Sequence, residues 1–260
     1  MSILGNVQRV LGLFAAGATD LSFTETAAQL ELPKSSASHL LGQMTRYGLL
    51  DQHPASKRYR PGALLGRAAS AAYAASALDD SCREVLERLS ARSGLTAYLS
   101  TLSGHDTVVL QRLNGHSPVQ VLSSPGSRRH ATGTAMGRAL LSRLSEGARE
   151  ALFGADADAP RASRLGCFAQ ERDLLDCLDA VALAHHALVV DGAMPGIGAI
   201  AAAVRNPLDG ELRGLCLSFV SHLQTDPLEL ENWRALVLEE VGALGQRIGD
   251  PFWRAAPLAL

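Results

Sequence analysis

The chain has 260 residues, 47% of them hydrophobic, enough for one large core or two smaller ones, and its formal net charge of −2 excludes a general polyanion binder. The four cysteines, Cys82, Cys167, Cys177 and Cys216, form no CxxC and read as reduced thiols of a cytoplasmic protein. No basic region followed by an apolar run opens the chain, and no 18-residue apolar stretch occurs, so neither a signal peptide nor a membrane span is expected.

In chain order, Val7, Val10, Leu11 and Phe14 are spaced for a first helix, closed by Gly17. Ser22 and Glu25 have capping-box spacing, which starts a second helix at Phe23, with Phe23, Ala27 and Leu30 on one face. Glu31-Leu32 turns the chain, and Pro33 starts a third helix with φ already set. There Ala37, Leu40, Leu41, Met44 and Tyr47 make a buried stripe. The opposite face carries Lys34, Ser35, Ser36, Ser38, His39, Gln43 and Arg46, small polar groups and cations suited to a DNA major groove. Gly48 stops this helix. Leu49-Leu50, the turn 53–56 and Lys57-Arg58-Tyr59-Arg60 then form a hairpin whose three cations suit phosphate. Residues 1–62 hold six cations against four anions, while the remainder is acidic on balance, as for a DNA-binding head on another body.

Residues 63–80, rich in Ala and Leu, read as a linker helix, with Ala68, Ala69, Ala71, Ala72, Ala75 and Ala77 allowing close approach of another helix. Residues 81–250 read as an α+β domain. Its helices are expected at 82–91, 133–144, 146–153, 171–184 and 227–248, and its strands at 95–102, 107–113, 119–123, 188–191, 199–205 and 211–221, with 154–163 a loop. Residues 251–260 read as a tail.

The run from Val7 to Gly62 resembles the DNA-binding domain of the IclR-type bacterial transcription regulators. The shared landmarks are Val7-Gln8-Arg9-Val10-Leu11, Leu32-Pro33-Lys34-Ser35, Leu40-Leu41, Tyr47-Gly48 and Arg58-Tyr59-Arg60. His39 departs from the family, which has an arginine there, and leaves the operator sequence open. The second half is similar to the same family at Ala135-Met136-Gly137-Arg138-Ala139-Leu140-Leu141 and at Gly196-Ile197-Gly198-Ala199-Ile200-Ala201-Ala202. The resemblance implies an N-terminal winged helix-turn-helix, a linker helix that serves dimer formation, and a C-terminal GAF-like sheet domain with flanking helices. It also implies an effector site at Ala135, Met136, Asp191, Ala199, Ser218 and Val220. Relative to the family pattern a cysteine has become Ala199, a serine Val220, and a first-strand glutamate Leu95. Arg128, Arg129 and His130 stand just before the Ala135 helix, whose start is open to a carboxylate.

Other chemistry is apparent only. Gly196-x-Gly198-x-x-Ala201 matches a loose dinucleotide fingerprint but leads into a strand, with no acid placed for a ribose. His185 and His186 are adjacent and point apart, so with Cys177 they make no metal set. A cysteine hydrolase would need Cys216 or Cys167, and Cys216 lies in an apolar strand. The reading is therefore a sequence-specific DNA-binding regulator that represses or activates transcription, a repressor being the expectation, with no catalytic residues, no metal and no cofactor. It acts as a homodimer or a dimer of dimers on operator DNA and answers a small organic effector, an aromatic or apolar-bodied acid or amide. The alternatives are a regulator whose pocket has closed, a cysteine-dependent hydrolase, and a winged helix that contacts protein. The sign of regulation, the effector and the genes controlled are not legible in the residues.

Overall fold

The structure, a computed structural model, describes residues 2–15, 18–74, 77–154, 160, 164–223 and 226–254, and the side chains of 69–77 are not among those described. Gly17, Ala75, most of the 154–163 loop and residues 255–260 of the tail lie outside the described residues, as do the side chains of Ala69, Ala71, Ala72 and Ala77. The chain divides into two compact units, residues 1–77 and 78–260.

The first unit is built from helices α1 (Ile3–Ala15), α2 (Phe23–Gln29) and α3 (Lys34–Arg46), hairpin strands β1 (Leu50–Gln52) and β2 (Tyr59–Pro61), and helix α4 (Ala63–Ala74). Helix α2 starts at Phe23 because Ser22 and Glu25 close a reciprocal capping box: Glu25 N donates to Ser22 Oγ at 3.1 Å and Ser22 N to Glu25 Oε2 at 2.8 Å. Pro33 is the N-cap of α3, one residue outside the helical position expected for it. Ala37, Leu40, Leu41 and Met44 are buried with Val10, Leu21, Leu30, Leu50 and Tyr59. Tyr47 is not part of that stripe. It is 64% exposed, because it caps α3 and the helical period no longer carries it inward. Gly48 (φ +72°) turns the chain, and Gly62 passes so close behind it that an added Cβ would stand 2.2 Å from the Gly48 carbonyl oxygen. The hairpin pairs Asp51 with Arg60, and Leu21 joins it through two backbone bonds of 2.8 Å to Tyr59.

The second unit takes in α5 (Ala77–Ser93) from Leu78 onward, and the segment read as a linker helix is helical over its described residues, 63–74 and from Ala77 on. Strands β3 (Thr96–Ser103), β4 (Asp106–Leu113), β5 (Arg128–His130), β6 (Ala187–Val190), β7 (Ile197–Arg205) and β8 (Leu212–Val220) form one antiparallel sheet in the order β5-β4-β3-β8-β7-β6. Helices α6 (Ala135–Leu141), α7 (Glu146–Phe153), α8 (Glu171–Ala184), α9 (Pro227–Ile248) and α10 (Pro251–Arg254) surround it. Residues 119–123 form no strand, and the edge strand beside β4 is Arg128–His130 instead. The helix expected over 133–144 is a 3-10 turn (Ala131–Gly133) followed by α6, with Thr134 as N-cap between them.

Side chains alternate across the sheet and sort into two cores. Leu95, Ala97 and Leu99 pack with α5 and α9, while Tyr98, Ala201 and Cys216 pack with Ala135, Met136, Ala139 and Leu140 of α6. Leu95, read as an effector-site position, is therefore a core residue 3% exposed, on the face away from α6. Residues 251–254, read as tail, are a helical turn that buries Trp253 and bonds its Nε1 to the Ala203 carbonyl at 3.0 Å. Arg143 pairs with the fully buried Asp250 at 2.7 Å and lies 3.8 Å over the Phe252 ring, which fixes this turn to the sheet domain.

Candidate functional site

In the first unit Lys34, Ser35, Ser36, Ser38, His39 and Arg46 are exposed on α3, and Gln43 is half-buried with its amide 3.5 Å from His39 Nε2. Lys57 and Arg60 of the hairpin are exposed, Lys57 at the turn with φ +56°. Arg58, expected to face phosphate with them, is engaged within the chain. Its Nε donates to Asp20 at 2.7 Å and its Nη2 to Glu25 at 3.0 Å. The same Glu25 carboxylate closes the capping box, so Arg58 ties the hairpin to the start of α2. Hydrogen bonds from Ser22 and then Arg58 hold the Glu25 carboxyl below the usual carboxylate range.

In the second unit a cavity of about 690 Å³, its mouth included, opens between the α6 face of the sheet, the 121–123 segment and the 189–199 turn. Ala135, Met136, Ala199 and Ser218, positions that the resemblance assigns to an effector, are in its lining. Asp191 and Val220 are not. Asp191 (φ +54°) staples its own turn, accepting from Gly196 N at 2.6 Å and Ser221 Oγ at 3.0 Å. Val220 sits at the end of β8, paired with Ile197 and beyond the lining. Helix α6 has seven residues, and Thr134 Oγ1 already accepts the Gly137 N–H at 2.9 Å, so its start is less open than the sequence suggested.

Tyr98, Ser100, Thr107, Val189 and Met194, none of them singled out in the sequence, also stand in the lining, as does Arg129. Polar residues at alternate places in an apolar strand, Tyr98 and Ser100, were the signal available. The Tyr98 hydroxyl donates to the Val121 carbonyl and accepts from Ser123 N at 3.0 Å, which fastens the 121–123 segment over the sheet. Of the three basic residues before α6, Arg128 pairs with Asp106 at 3.1 Å and His130 Nδ1 meets Thr132 Oγ1 at 2.9 Å. Arg129 reaches the cavity, its Nη1 donating to the Arg128 carbonyl at 3.2 Å and its Nη2 lying 3.5 Å from the Met194 sulfur. The described lining holds that one cation and no carboxylate.

The other motifs are structural. Gly196 (φ +80°) makes the turn into β7, and a Cβ on Gly198 would stand 2.2 Å from the Phe219 ring. His185 is the C-cap of α8 (φ +60°), its ring 4.2 Å from that of Phe252. Burial pushes the Cys216 thiol up to about 12, and its recorded neighbour is Ser218 Oγ at 3.8 Å. Such a thiol is a poor nucleophile. Among the described residues no group of three or more His, Cys, Asp or Glu could hold a metal, and no helix is long and apolar enough to cross a membrane.

A winged helix-turn-helix joined in one chain to a sheet domain with a lined cavity defines a DNA-binding regulator with a ligand-binding domain. Two family models match it: the IclR helix-turn-helix domain over residues 4–54 and the bacterial transcriptional regulator IclR C-terminal domain over residues 71–233. The chain belongs to the IclR family of bacterial transcriptional regulators. It is 27% identical to the HTH-type transcriptional regulator XynR of Escherichia coli, over 96% of this chain and 100% of that one. Its fold is like that of an IclR transcriptional regulator from Alicyclobacillus acidocaldarius (TM-score 0.77, 20% identity, 94% of this chain and 97% of that one). It is also like that of an IclR homologue from Microbacterium hydrocarbonoxydans solved in complex with 4-hydroxybenzoate (TM-score 0.75, 21% identity, 98% of this chain and 100% of that one).

Proposed function

We propose that this regulator is a cytoplasmic, homodimeric repressor without enzymatic activity, whose operator affinity is set by a small carboxylic acid with an aromatic or short apolar body. The observation that carries the ligand class is the composition of the cavity wall. One cation, Arg129, is met by no carboxylate in the described lining, and the wall beyond it is formed by Tyr98, Val109, Met136, Val189 and Ala199. A carboxylate at Arg129 gains a charge-assisted hydrogen bond, and an apolar body gains about 0.8 kcal/mol for each CH₂ it buries. Ser100 and Ser218 offer hydroxyls to a second polar group of the ligand. That an IclR homologue of similar fold was solved with 4-hydroxybenzoate agrees with this reading. On DNA, Lys34, Ser35, Ser36, Ser38, His39 and Gln43 of α3 enter the major groove, and Lys57 and Arg60 meet phosphate.

Calorimetry of the full chain with 4-hydroxybenzoate, benzoate and glyoxylate tests the ligand class. Binding of the aromatic acids and none of glyoxylate is expected, since a two-carbon acid leaves the apolar wall uncovered. Tight binding of glyoxylate with none of the aromatic acids would refute it.

A further inference from the structure

Asp79 is the second residue of the unit that starts at Leu78, and it lies in the first turn of α5. It is buried, and Arg213 of β8 holds it with two bonds: Nε donates to Oδ1 at 2.5 Å and Nη2 to Oδ2 at 3.4 Å. The Arg213 side chain is itself only 11% exposed. Among the described residues this is the one recorded ion pair between α5 and the sheet, whereas Glu84, Arg88 and Arg92 pair with α9. A pair so nearly dehydrated adds little stability over apolar residues of similar volume, which points to a use in fixing position. The other face of β8 belongs to the cavity, where Cys216 and Ser218 stand in the lining. Gly214, next to Arg213, lies so close under α6 that an added Cβ would stand 2.4 Å from the Met136 sulfur and 3.0 Å from Leu140. Met136 is also cavity wall, and its unbranched thioether adapts readily to what fills the space beside it.

We propose that the Asp79–Arg213 pair is the joint through which an acid in the cavity is felt at the start of α5. The proposal rests on the cavity being the effector site. A ligand body that fills the cavity presses on Met136. The thioether has no room toward β8, because Gly214 already lies against it, so the pressure passes to the strand backbone. Arg213 is the next residue, and the alternation of a strand puts its side chain on the opposite face, with Leu215 and Leu217 of the α5–α9 core. A shift or twist of β8 there moves the guanidinium. The buried Asp79 carboxylate has no water to turn to, so it follows and carries the first turn of α5 with it. Farther along, Arg88 and Arg92 hold α5 to Glu239 and Glu240 of α9, which concentrates the displacement at the end of α5 nearest in sequence to the DNA-binding unit. Asp79 and Arg213 are positioning residues in this scheme: neither lines the cavity, and neither lies on α3 or the hairpin.

The test compares operator binding by the full-length protein with and without 4-hydroxybenzoate. The wild type is set beside a double variant, Asp79→Leu with Arg213→Met, which makes both members apolar and leaves no unpaired buried charge. In the wild type the acid should change operator affinity about tenfold, within the usual range of coupling between two sites. In the double variant that ratio should fall to about one, while calorimetry finds the acid affinity of the free protein unchanged. Coupling is reciprocal, so the acid should then bind the free double variant and its operator complex equally. Glu240→Gln, which loosens α5 from α9, should keep the wild-type ratio. Gly214→Ala, which wedges a methyl against Met136, should move operator affinity without acid toward the acid-bound value, and it tests the connection even where the double variant does not fold. The joint is overturned, with the effector site left standing, by a double variant that keeps the tenfold ratio. Loss of acid binding in the double variant, loss of the ratio in Glu240→Gln, or wild-type operator affinity in Gly214→Ala has the same consequence, as does an acid that binds the wild type without changing its hold on the operator. No binding of 4-hydroxybenzoate to the wild type overturns the ligand class and the joint with it.

Discussion

At the scale of single residues, the cavity turns on side chains that sequence patterns rank poorly. Arg129 stood in the sequence as one of three basic residues before α6, and only the strand pairing of β5 with β4 separates it from Arg128, whose guanidinium is spent on Asp106. Leu95 shows the opposite error. Side chains alternate along a strand, so a one-residue slip in aligning a motif moves a residue from the cavity face to the α5–α9 core, where Leu95 is found. Asp191 was assigned to the effector site by the resemblance; here it lies outside the cavity lining, and its left-handed backbone and bonds to Gly196 and Ser221 hold its own turn. If Arg129 receives the carboxylate, Arg129→Ala should weaken binding of 4-hydroxybenzoate by about tenfold, the lower end for a hydrogen bond to a charged group, because the guanidinium is exposed. DNA affinity without the acid should be unchanged. Calorimetry and gel shift on the same preparation check both, and an unaltered acid affinity would remove Arg129 from the site.

At the scale of elements, the local signals were the reliable ones. The capping box placed α2, and the long apolar stripe placed α9, with Trp233, Leu236, Val237 and Leu244 buried as their spacing required. What could not be read was set by tertiary contacts. The 119–123 segment has strand-like residues, yet Val119 and Leu122 are exposed and Val121 is held through its carbonyl by Tyr98, so it forms no ladder. Trp253 looked like part of a tail because its partner, the Ala203 carbonyl, lies 50 residues away. The hairpin was legible as an element, but the use of its cations was not. Asp20, 38 residues before Arg58, claims that guanidinium together with Glu25. Replacing Lys57 or Arg60 by Ala should therefore lower the slope of log affinity against log salt by about one unit each, whereas Arg58→Ala should leave the slope unchanged and weaken binding by loosening the hairpin. A slope change for Arg58→Ala equal to the other two would put it on phosphate after all.

At the scale of the whole molecule, the two units carry separate chemistries, a polar helix face with flanking cations in residues 1–77 and a lined cavity in residues 78–260. One recognition helix contacts only a few base pairs, so useful specificity requires two, and two-fold symmetry then calls for a near-palindromic operator. Sedimentation at micromolar concentration should find a dimer or a dimer of dimers, and a monomer would contradict that expectation. A small acid bound in one unit should change what the other does to DNA. The most direct test is a gel shift of the full-length protein with the duplex upstream of its own gene, with and without 4-hydroxybenzoate. A retarded complex that survives excess unrelated duplex, and whose affinity changes when the acid is added, is the predicted result. A complex removed equally by unrelated duplex, or one indifferent to every aromatic acid that calorimetry shows to bind, would contradict the account.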